Sequence, residues 1–344
     1  MLQDALSQPI LITGAGGSIG SALAMRLAQF AAPRLILLEA AENSLFHLER
    51  ALARAPHSDA AGQATFVLGN AGDRATLDDL FTAHRPRLVF HAAAHKHVPL
   101  LEQQAFAAIG NNIFATETLV AVAAAHSARV VLVSTDKAVE PASVMGATKR
   151  VAERIVLRGG GTALRLGNVL ASSGSVAEVF AQQIAQGGPM TVTDAEARRY
   201  FLTKDEAVNL LLFAAAHAAP AILAPALAHA HGIAELAGFM ARALAPGREI
   251  AVQFTGLRPG DKVAELLWDP SEIARPDTGT PLVRIESSPS SPMQFDAEIS
   301  ALRAAVNNRD LAAALAQLRG LVPGFHPSKT VLAVARNCVQ TVSA

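Results

Sequence analysis

The strongest constraint on the fold of this chain is a glycine-rich loop between a short apolar run and a helical pattern. The loop reads Thr13-Gly14-Ala15-Gly16-Gly17-Ser18-Ile19-Gly20 and follows the apolar residues 10–13. Its glycines allow a tight turn, close approach of the backbone to a pyrophosphate and close helix packing, while free amides at the helix N-terminus attract phosphate. The loop therefore predicts dinucleotide binding, through Gly14, Gly17, Ser18, Ile19 and Gly20.

Short apolar runs alternate with longer alanine-rich helical patterns through the first half of the chain. Such alternation implies right-handed crossovers and a parallel sheet with helices on both faces. We therefore predict an α/β fold of the Rossmann type, a doubly wound parallel sheet, with a smaller, discontinuous substrate domain. The predicted strands are residues 10–13, 35–39, 65–68, 88–91, 130–133 and 163–166.

The alternation loosens after Asn168, where glycine and proline punctuate the chain. Residues 1–168 and about 201–228 form the predicted nucleotide-binding domain. The predicted substrate domain takes residues from about 169–200 and 229–330, with a helix near 176–186 and a strand near 190–193. It includes the apolar-periodic segments 295–306 and 311–318, and residues 331–344 remain a tail without a predicted structure.

Composition excludes several kinds of partner. Twenty-nine basic residues balance twenty-nine acidic ones in 344 residues, and no basic run stands out, so no nucleic-acid partner is expected. The first nine residues lack the basic cluster of a signal peptide. Residues 209–230, the most membrane-like segment, are interrupted by two prolines and two histidines, so they predict a buried helix and a strand instead of membrane insertion.

Cysteine and histidine usage indicates neither a disulfide nor a metal site. The single cysteine, Cys338, cannot form an internal disulfide and suits a reducing compartment, so we expect a cytoplasmic location. His91, His95 and His97 straddle a strand end and a loop without carboxylates or thiols at ligand spacing. No metal is therefore predicted.

Glu39 closes the second predicted strand, about 20 residues after the glycines, where a carboxylate can bind the adenosine ribose hydroxyls. Its charge would repel a 2′-phosphate, and the following Ala40 and Ala41 supply no cation. We therefore expect NAD as the cofactor, with NADP less favoured. A solvated strand end is the alternative interpretation of Glu39.

A polar segment follows the fifth predicted strand at its carboxyl end, where open α/β sheets bind ligands. It reads Ser134-Thr135-Asp136-Lys137, and Met145-Gly146-Ala147-Thr148-Lys149 follows after a short gap. Lys149 lies one helical turn after Met145 on the same face. Taken alone, the Asp-Lys pair would indicate a surface ion pair, but its position favours catalysis.

These motifs together resemble those of extended short-chain dehydrogenases/reductases, and more narrowly the UDP-N-acetylglucosamine 4,6-dehydratases of bacterial polysaccharide and glycoprotein biosynthesis. Methionine in place of the usual tyrosine is similar to the long, membrane-anchored branch of that family. This chain is expected to correspond to the catalytic part without the membrane region. The segments that carry the resemblance are the glycine loop, residues 91–99, 134–138, 144–153, 165–170, 199–201 and 256–262.

The resemblance implies a reaction in which NAD takes hydride from sugar C4, water is eliminated across C5 and C6, and the hydride returns to C6. Elimination needs a base at C5 and an acid at the departing C6 hydroxyl. Asp136 is the candidate acid, which requires a raised pKa, and Lys137 the candidate base, which requires a lowered pKa. Lys149 would position the nicotinamide ribose. Met145 cannot accept the C4 hydroxyl proton, for which Thr135 or a water is favoured, with Lys137 and Lys149 as alternatives.

The resemblance also implies binding residues. Ala92 and Ala93 belong to the matched cofactor segment, and Asn70 replaces an aspartate that commonly meets the adenine. Arg199 and Arg258 are candidates for the nucleotide diphosphate, although either could be a structural ion-pair partner. Lys96 is a candidate sugar or phosphate ligand, with a solvated lysine equally favoured, and Asn168 could bind phosphate or fix its loop.

Other activities stay open at this point. A nucleotide-sugar 4-epimerase would share fold and cofactor but needs no elimination pair and normally depends on tyrosine. A dehydratase for a GDP- or dTDP-sugar is the nearest rival to a UDP-sugar enzyme, and a non-catalytic NAD sensor could tolerate Met145. The alanine-rich helices 103–126 and 144–157 are expected to pair across a dimer axis, giving a homodimer or larger homo-oligomer, with burial inside one chain as the alternative.

Overall fold

The structure is a computed structural model that describes residues 6–30, 34–55, 64–217, 219–227, 229–286 and 292–342. The strands are β1 (Ile10–Thr13), β2 (Leu35–Glu39), β3 (Ala64–Leu68), β4 (Leu88–His91), β5 (Arg129–Thr135), β6 (Thr162–Leu166), β7 (Asn168–Val169), β8 (Met190–Val192), β9 (Arg198–Arg199), β10 (Phe201–Leu202), β11 (Ala221–Pro225), β12 (His231–Gly232), β13 (Val252–Phe254), β14 (Ile273–Pro276) and β15 (Leu282–Glu286). The α-helices are α1 (Ser18–Leu27), α2 (Glu42–Arg54), α3 (Arg74–His84), α4 (Val98–Gln103), α5 (Ala105–Ile109), α6 (Ala115–Ala125), α7 (Val144–Arg158), α8 (Val176–Ala185), α9 (Lys204–Ala216), α10 (Ile233–Leu244), α11 (Pro292–Asn307), α12 (Leu311–Leu321) and α13 (Lys329–Val342). A π-helical turn, Gly110–Phe114, joins α5 to α6, and a 3₁₀ turn, Asp136–Ala138, follows β5.

The main sheet has the strand order β14-β15-β11-β6-β5-β4-β1-β2-β3. The seven strands from β11 to β3 are parallel, whereas β15 and β14 add antiparallel at one edge. The strand order reverses between β1 and β4, where Thr13 stands in register with His91, and ligands of such sheets bind at that crevice. The predicted doubly wound α/β fold is therefore confirmed, with an antiparallel edge that the helix-strand alternation did not predict.

Helices cover both faces of the main sheet. Helices α1, α2 and α9 bury one face through residues such as Leu23 and Leu211. Helices α3, α6 and α7 bury the other through residues such as Leu119 and Val151. Strands β1, β4 and β6 are thus enclosed on both faces, which accounts for their reading as unbroken apolar runs and not as alternating patterns. The edge strand β3 is only partly buried.

A smaller apolar cluster lies outside the main sheet. It joins Phe180 and Ile184 of α8 to Met190 of β8 and Ala237 of α10, and β13 pairs with β8 in parallel. The chain reaches this unit through β7 and returns through β10, and these two short strands pair with each other. The unit corresponds to the central part of the predicted substrate domain, whose exact division from the first domain stays a prediction.

The C-terminal helices lie elsewhere than the sequence suggested. Residues 292–330 were expected in the substrate domain and 331–344 as a tail, but α11, α12 and α13 join the core of the main sheet on the α7 side. Leu302, Leu318 and Val331 have no exposed surface there. Apolar periodicity predicts a helix and its buried face, but not the partner on which that face packs, and this explains the error.

The same three helices cover the surface expected to form a dimer axis. The Arg154 guanidinium of α7 stacks 4.3 Å from the ring centre of Phe295 in α11. Arg303 of α11 pairs with Glu117 of α6 and lies over the ring of Phe114. Burial inside one chain, the alternative to pairing between chains, is therefore what α6 and α7 show along these contacts.

The helical stretch Ala105–Ala125 is long and apolar enough to cross a membrane, judged by length and composition alone. Its residues Ile109, Ile113 and Leu119 have no exposed surface and lie in the core beneath the main sheet. Core helices of globular domains pass the same test of length and composition. Residues 209–230, to which the sequence drew attention instead, form most of α9 and then β11, as predicted.

Candidate active site

The glycine loop turns sharply between β1 and α1 at the crevice of the sheet. Gly14 has a φ of +65°, and a β-carbon there would lie 2.6 Å from the backbone nitrogen of Ala93. A β-carbon at Gly20 would overlap the carbonyl oxygen of Gly14. The loop can therefore keep this course only with glycine at these two positions, and α1 begins at Ser18 with its N-terminus at the crevice.

A cavity of about 220 Å³ opens beside this loop. It extends along the carboxyl ends of β1, β2, β3 and β4, so it has the place expected for the adenosine half of a dinucleotide. Its lining includes these residues, all of them named by the sequence as cofactor ligands: Gly14, Gly17, Glu39, Asn70, Ala92 and Ala93. Ser18 and Ile19 stand at the start of α1, where Ile19 packs against the core on the α1 side of the sheet.

Two polar side chains at the cavity are fixed by backbone amides. The Glu39 carboxylate accepts hydrogen bonds from the nitrogens of Gly16 and Ala41, both at 3.0 Å, so it ties the end of β2 to the glycine loop. The Asn70 side-chain oxygen accepts from the Gly72 nitrogen at 2.7 Å. Glu39 is thus held as a carboxylate facing the cavity, and it is not a freely solvated strand end.

His91 lies buried at the end of β4 between two hydroxyl groups. Thr116 donates its own proton to the Asn112 carbonyl, so it accepts from His91 Nε2 at 2.9 Å. His91 Nδ1 therefore accepts from the Thr13 hydroxyl at 2.7 Å. Burial, and to a smaller extent the charge of Lys149, lowers the pKa of His91 to about 3. The imidazole is neutral at physiological pH and fixes the crevice.

The other two histidines do not gather around His91. The backbone of His95 is bound on both sides by the Asn112 side chain, which projects from the π-helical turn. His97 precedes α4, and its ring lies against Gly174. Among the residues that the structure describes, no group of three His, Cys, Asp or Glu side chains is arranged to hold a metal ion.

Thr135, Asp136 and Lys137 form one hydrogen-bonded turn at the carboxyl end of β5. The Thr135 hydroxyl donates to Asp136 Oδ1 at 2.9 Å, and Lys137 Nζ donates to the same oxygen at 2.9 Å. Lys137 Nζ also donates to Asn168 Oδ1 at 3.1 Å. Asp136 has no exposed surface, and its second oxygen, Oδ2, has no hydrogen-bond partner among the described residues. A buried carboxylate oxygen is thus left available to a ligand.

Lys137 differs from expectation in its protonation. Burial alone would lower its pKa, but the carboxylates of Asp136 and Glu265 outweigh burial, and the pKa of Lys137 is raised. As a free base, Lys137 was expected to have a lowered pKa. In this structure Lys137 is instead an ammonium group held in an ion pair.

Helix α7 brings Met145 and Lys149 to the same region. Ser143 caps the helix by accepting a hydrogen bond from the Gly146 nitrogen. Met145 is 3% exposed and packs into the apolar core. Its side chain has no ionisable group, so its role here is packing. Lys149 is also buried, and burial lowers its pKa to about 8, against the opposing charge of Glu153. No ion pair of Lys149 is found in the described part of the chain.

Beneath this turn lies an ion-pair network that the sequence analysis missed. Arg165 of β6 binds Glu153 of α7 through two hydrogen bonds of 3.0 Å and Glu272 through another of 2.8 Å. Glu153 in turn accepts from the Ser134 hydroxyl at 2.6 Å. Glu153 stands four residues after Lys149, a spacing that could have suggested a shared helix face, but Glu272 carried no sequence signal.

The predicted substrate ligands separate into two groups. Arg258 has a side chain 60% exposed, paired with Asp261 across one turn, so its guanidinium is accessible. Arg199 is buried, and its guanidinium donates to the backbone carbonyls of Arg198, Lys262 and Val263. Arg199 is therefore engaged in holding the chain through carbonyls and not through an ion pair, and its contact with the diphosphate stays a prediction.

Two other predicted ligands also serve the protein itself. Lys96 Nζ donates to the Ser173 carbonyl at 2.8 Å, and burial lowers its pKa while Glu178 opposes that shift. The Ser173 nitrogen donates to Ser18 Oγ, so the loop after β7 touches the start of α1. Asn168 holds Lys137, as described above. These contacts favour positioning roles for Lys96 and Asn168 in the form seen here.

Lys262 and Glu265 complete the polar cluster and were not singled out from the sequence. Lys262 Nζ donates to the Val139 carbonyl at 2.9 Å and lies 2.6 Å from Glu265 Oε2. Glu265 Oε1 lies 4.0 Å from Lys137 Nζ. Lys262 belongs to a segment recognised as a motif, but the burial of Glu265 could not be read from residue type.

Known proteins support a family assignment. Residues 10–286 match the family described as "Polysaccharide biosynthesis protein". The chain is 37% identical over 281 residues to capsular polysaccharide biosynthesis protein CapD of Staphylococcus aureus, covering 79% of this chain and 47% of CapD. It is 38% identical over 276 residues to the probable polysaccharide biosynthesis protein EpsC of Bacillus subtilis, covering 77% and 45%. The chain spans about half the length of these two relatives.

Solved structures share the architecture. Pen from Bacillus thuringiensis aligns with a TM-score of 0.73 and 26% identity, covering 82% of this chain and 89% of Pen. A UDP-glucose 4-epimerase of Thermus thermophilus in complex with NAD aligns with a TM-score of 0.64 and 19% identity, covering 75% of this chain and 89% of the epimerase. DesIV of Streptomyces venezuelae, a dTDP-glucose 4,6-dehydratase with NAD bound, aligns with the same TM-score of 0.64 and 19% identity, covering 74% of this chain and 87% of DesIV. The last two show the fold alone. By its match over residues 10–286, and with the fold of short-chain dehydrogenases/reductases, the chain belongs to the polysaccharide biosynthesis protein family.

Proposed function

We propose that this chain is an NAD-dependent nucleotide-sugar 4,6-dehydratase that converts UDP-N-acetylglucosamine to its 4-keto-6-deoxy form. The observation that carries the proposal is Asp136, a fully buried carboxylate joined to Lys137 at 2.9 Å, whose second oxygen has no hydrogen-bond partner among the residues described. Elimination of water needs an acid and a base on adjacent carbons, and this pair supplies both at the ligand-binding edge of the sheet.

The crevice fits NAD by shape and charge. The glycine loop leaves no room for a β-carbon at Gly14 or Gly20, so its backbone can approach a pyrophosphate closely. Glu39 faces the cavity with its charge intact, which suits ribose hydroxyls and disfavours a 2′-phosphate. When bound, NAD supplies the hydride acceptor for sugar C4 and the hydride donor for C6. Lys149 would bind the nicotinamide ribose from α7.

The absence of a suitable tyrosine argues against a 4-epimerase. The chain contains one tyrosine, Tyr200, and Tyr200 packs against an apolar cluster with Leu267 and Ile285. The position one turn before Lys149 is held by buried Met145, which has no ionisable group. An enzyme that exchanges C4 configuration through a tyrosine therefore lacks its usual base here.

The proton transfers balance with Thr135, Asp136, Lys137 and one water. Moving one proton across the 2.9 Å hydrogen bond from Lys137 to Asp136 turns the ion pair into a carboxylic acid and a free amine. The amine takes the C5 proton, and the acid protonates the C6 hydroxyl, which leaves as water. Lys137 then returns the proton to C5 as hydride reaches C6.

The C4 hydroxyl releases its proton when C4 becomes a ketone, before water is eliminated, while Asp136 already holds the proton taken from Lys137. Thr135 accepts the C4 proton as it gives its own to a water. After Lys137 has returned its proton to C5, a water restores one proton to Lys137, and the starting ion pair is recovered. Thr135, whose hydroxyl lies 2.9 Å from Asp136 Oδ1, thus takes the place of the tyrosine base that Met145 cannot be.

Nuclear magnetic resonance of the sugar in deuterated water tests the proposal. Purified protein incubated with NAD and UDP-N-acetylglucosamine should yield a methyl group at C6, a ketone at C4 and deuterium at C5. Asp136→Asn should lower turnover by about 10²–10⁴-fold while NAD binding persists. A C4 epimer without loss of water would support an epimerase instead, and unchanged UDP-N-acetylglucosamine with NAD bound would reject this substrate.

A further inference from the structure

We propose that Glu265, acting as a pair with Lys262, is a positioning residue that holds Lys137 as an ammonium group and so controls when the Asp136–Lys137 pair can exchange its proton. The proposal rests on the proposed dehydratase function for its catalytic meaning. The charge effect on Lys137 can be measured without any substrate.

Glu265 is placed for this role by its contacts. It is 4% exposed, with one carboxylate oxygen 4.0 Å from Lys137 Nζ and the other 2.6 Å from Lys262 Nζ. The second contact is close but lacks the alignment of a hydrogen bond. A buried carboxylate in this place compensates the charges of the two lysines, and removing it would leave buried charge uncompensated, which is costly.

The segment that carries Glu265 is fixed on two sides. Arg199 donates to the carbonyls of Lys262 and Val263, and the Arg198 nitrogen donates to the Val263 carbonyl at 2.9 Å. On the other side Lys262 donates to the carbonyl of Val139, directly after the catalytic turn. The carboxylate therefore has a defined place beside Lys137, and Arg199 has the function of holding it there.

Two charged groups besides Glu265 act directly on Lys137. Asp136 favours the ammonium form, and Arg199 opposes it from β9. Lys262 opposes it indirectly by neutralising Glu265. On α7 the charged residue nearest in sequence to the turn is Lys149, whose field acts on His91, and Glu153 acts on Lys149. The cluster of Asp136, Glu265, Lys137 and Lys262 contains two negative and two positive charges, so each substitution leaves a net charge of known sign.

Two substitutions should shift the protonation of Lys137 in opposite directions. Glu265→Gln removes a negative charge of nearly the same shape, and the pKa of Lys137 should fall by about one unit. Lys262→Met leaves Glu265 without its other partner, and the pKa of Lys137 should rise. The double variant should resemble Glu265→Gln, because without the Glu265 charge Lys262 has no carboxylate to neutralise. A purely structural role for Glu265 would not give shifts of opposite sign in the two single variants, nor make the effect of Lys262→Met depend on Glu265.

Competitive acetylation measures these shifts in the free protein. Trace acetic anhydride reacts with neutral amines only, so at pH 8 the labelling rate of Lys137 changes about tenfold for each unit of pKa. Mass spectrometry compares Lys137 with exposed Lys329, which serves as internal reference among six lysines. Lys137 is 24% exposed and therefore open to reagent. Glu196→Gln, an exposed carboxylate in the same domain, is the matched control and should change nothing.

Faster labelling in Glu265→Gln, slower labelling in Lys262→Met, and labelling in the double variant as fast as in Glu265→Gln would support the proposal. Equal rates in all variants, or changes of the same sign in both single variants, would overturn it. If Glu265→Gln does not fold, the sign in Lys262→Met alone still decides. With dehydratase activity established, the pH limb of turnover that belongs to Lys137 should move to lower pH in Glu265→Gln. If the protein showed no dehydratase activity, that result would count against the proposed function, whereas the labelling result would stand independently.

Discussion

A β-carbon at position 146 would overlap the carbonyl oxygen of Lys137, so α7 meets the turn Asp136–Ala138 only because Gly146 has no side chain. The contact joins the helix that carries Lys149 to the turn that carries Asp136. Gly146 was part of a quoted motif, yet its importance lies in this packing contact and not in any chemistry of its own.

Gly146→Ala should therefore separate the helix from the turn. We expect a loss of about 1–3 kcal/mol in the free energy of unfolding, as overpacked sites show, together with a lower kcat. Gly110→Ala is the matched control, since Gly110 is also helical and a β-carbon there meets nothing within 4 Å. Urea denaturation of both variants provides the measurement, and equal stability would contradict the role given to Gly146.

Lys149 should make stability depend on alkaline pH. Its folded pKa is lowered to about 8 from the usual 10.5 by burial, so between these values the unfolded chain binds more protons than the folded one. Stability contributed by this group consequently rises with pH through that window and is lowest below pH 8. Lys149→Met should be more stable than the parent at pH 7, by about 1–3 kcal/mol, and the difference should shrink towards pH 10. Denaturant unfolding at both pH values tests this, and a constant difference would count against it.

Arg258 and Arg199 should respond differently to substitution. Arg258 is exposed, so Arg258→Gln should leave the free energy of unfolding within about 0.5 kcal/mol and raise KM for the nucleotide sugar about tenfold or more. Arg199 holds three backbone carbonyls, so Arg199→Gln should lower stability and kcat. Kinetics and thermal unfolding of the two variants separate the roles. A KM effect confined to Arg199→Gln would reverse them.

Substitution of buried residues in the C-terminal helices should destabilise the protein as strongly as substitution elsewhere in the core. Leu302 of α11 has no exposed surface, and Leu302→Ala should cost about 2–5 kcal/mol of unfolding free energy. Met293, in the same helix, is 84% exposed, and Met293→Ala should change stability by less than about 0.5 kcal/mol. Chemical denaturation compares the two. Similar small effects would mean that α11 contributes little to the core.

The sequence predicted best those features that depend only on residues close together along the chain. The strands at 10–13, 35–39 and 88–91 coincide with β1, β2 and β4, because an apolar run bounded by turn residues needs no distant partner to be recognised. The glycine loop was recognisable for the same reason. The parallel order followed from alternation and handedness.

Distant relationships could not be read in that way. Arg199 looked like a phosphate ligand because guanidinium suits phosphate, but its partners are carbonyls more than sixty residues away. The raised pKa of Lys137 depends on Glu265, 128 residues later. Likewise, nothing in the periodicity of residues 292–321 specified that they would cover α6 and α7. Residue type indicates what a side chain can do, and tertiary contacts decide what it does.

The paired strands β7 and β10 have a mechanical consequence. They are two of the connections between the smaller unit and the main sheet, and Phe201 and Leu202 lie beside Asn168 and Val169 in register. Because the two strands are bonded to each other, a displacement of either one would carry the other with it. Asn168 accepts a hydrogen bond from Lys137, so a ligand that displaced this strand pair would also displace a contact of the ammonium group.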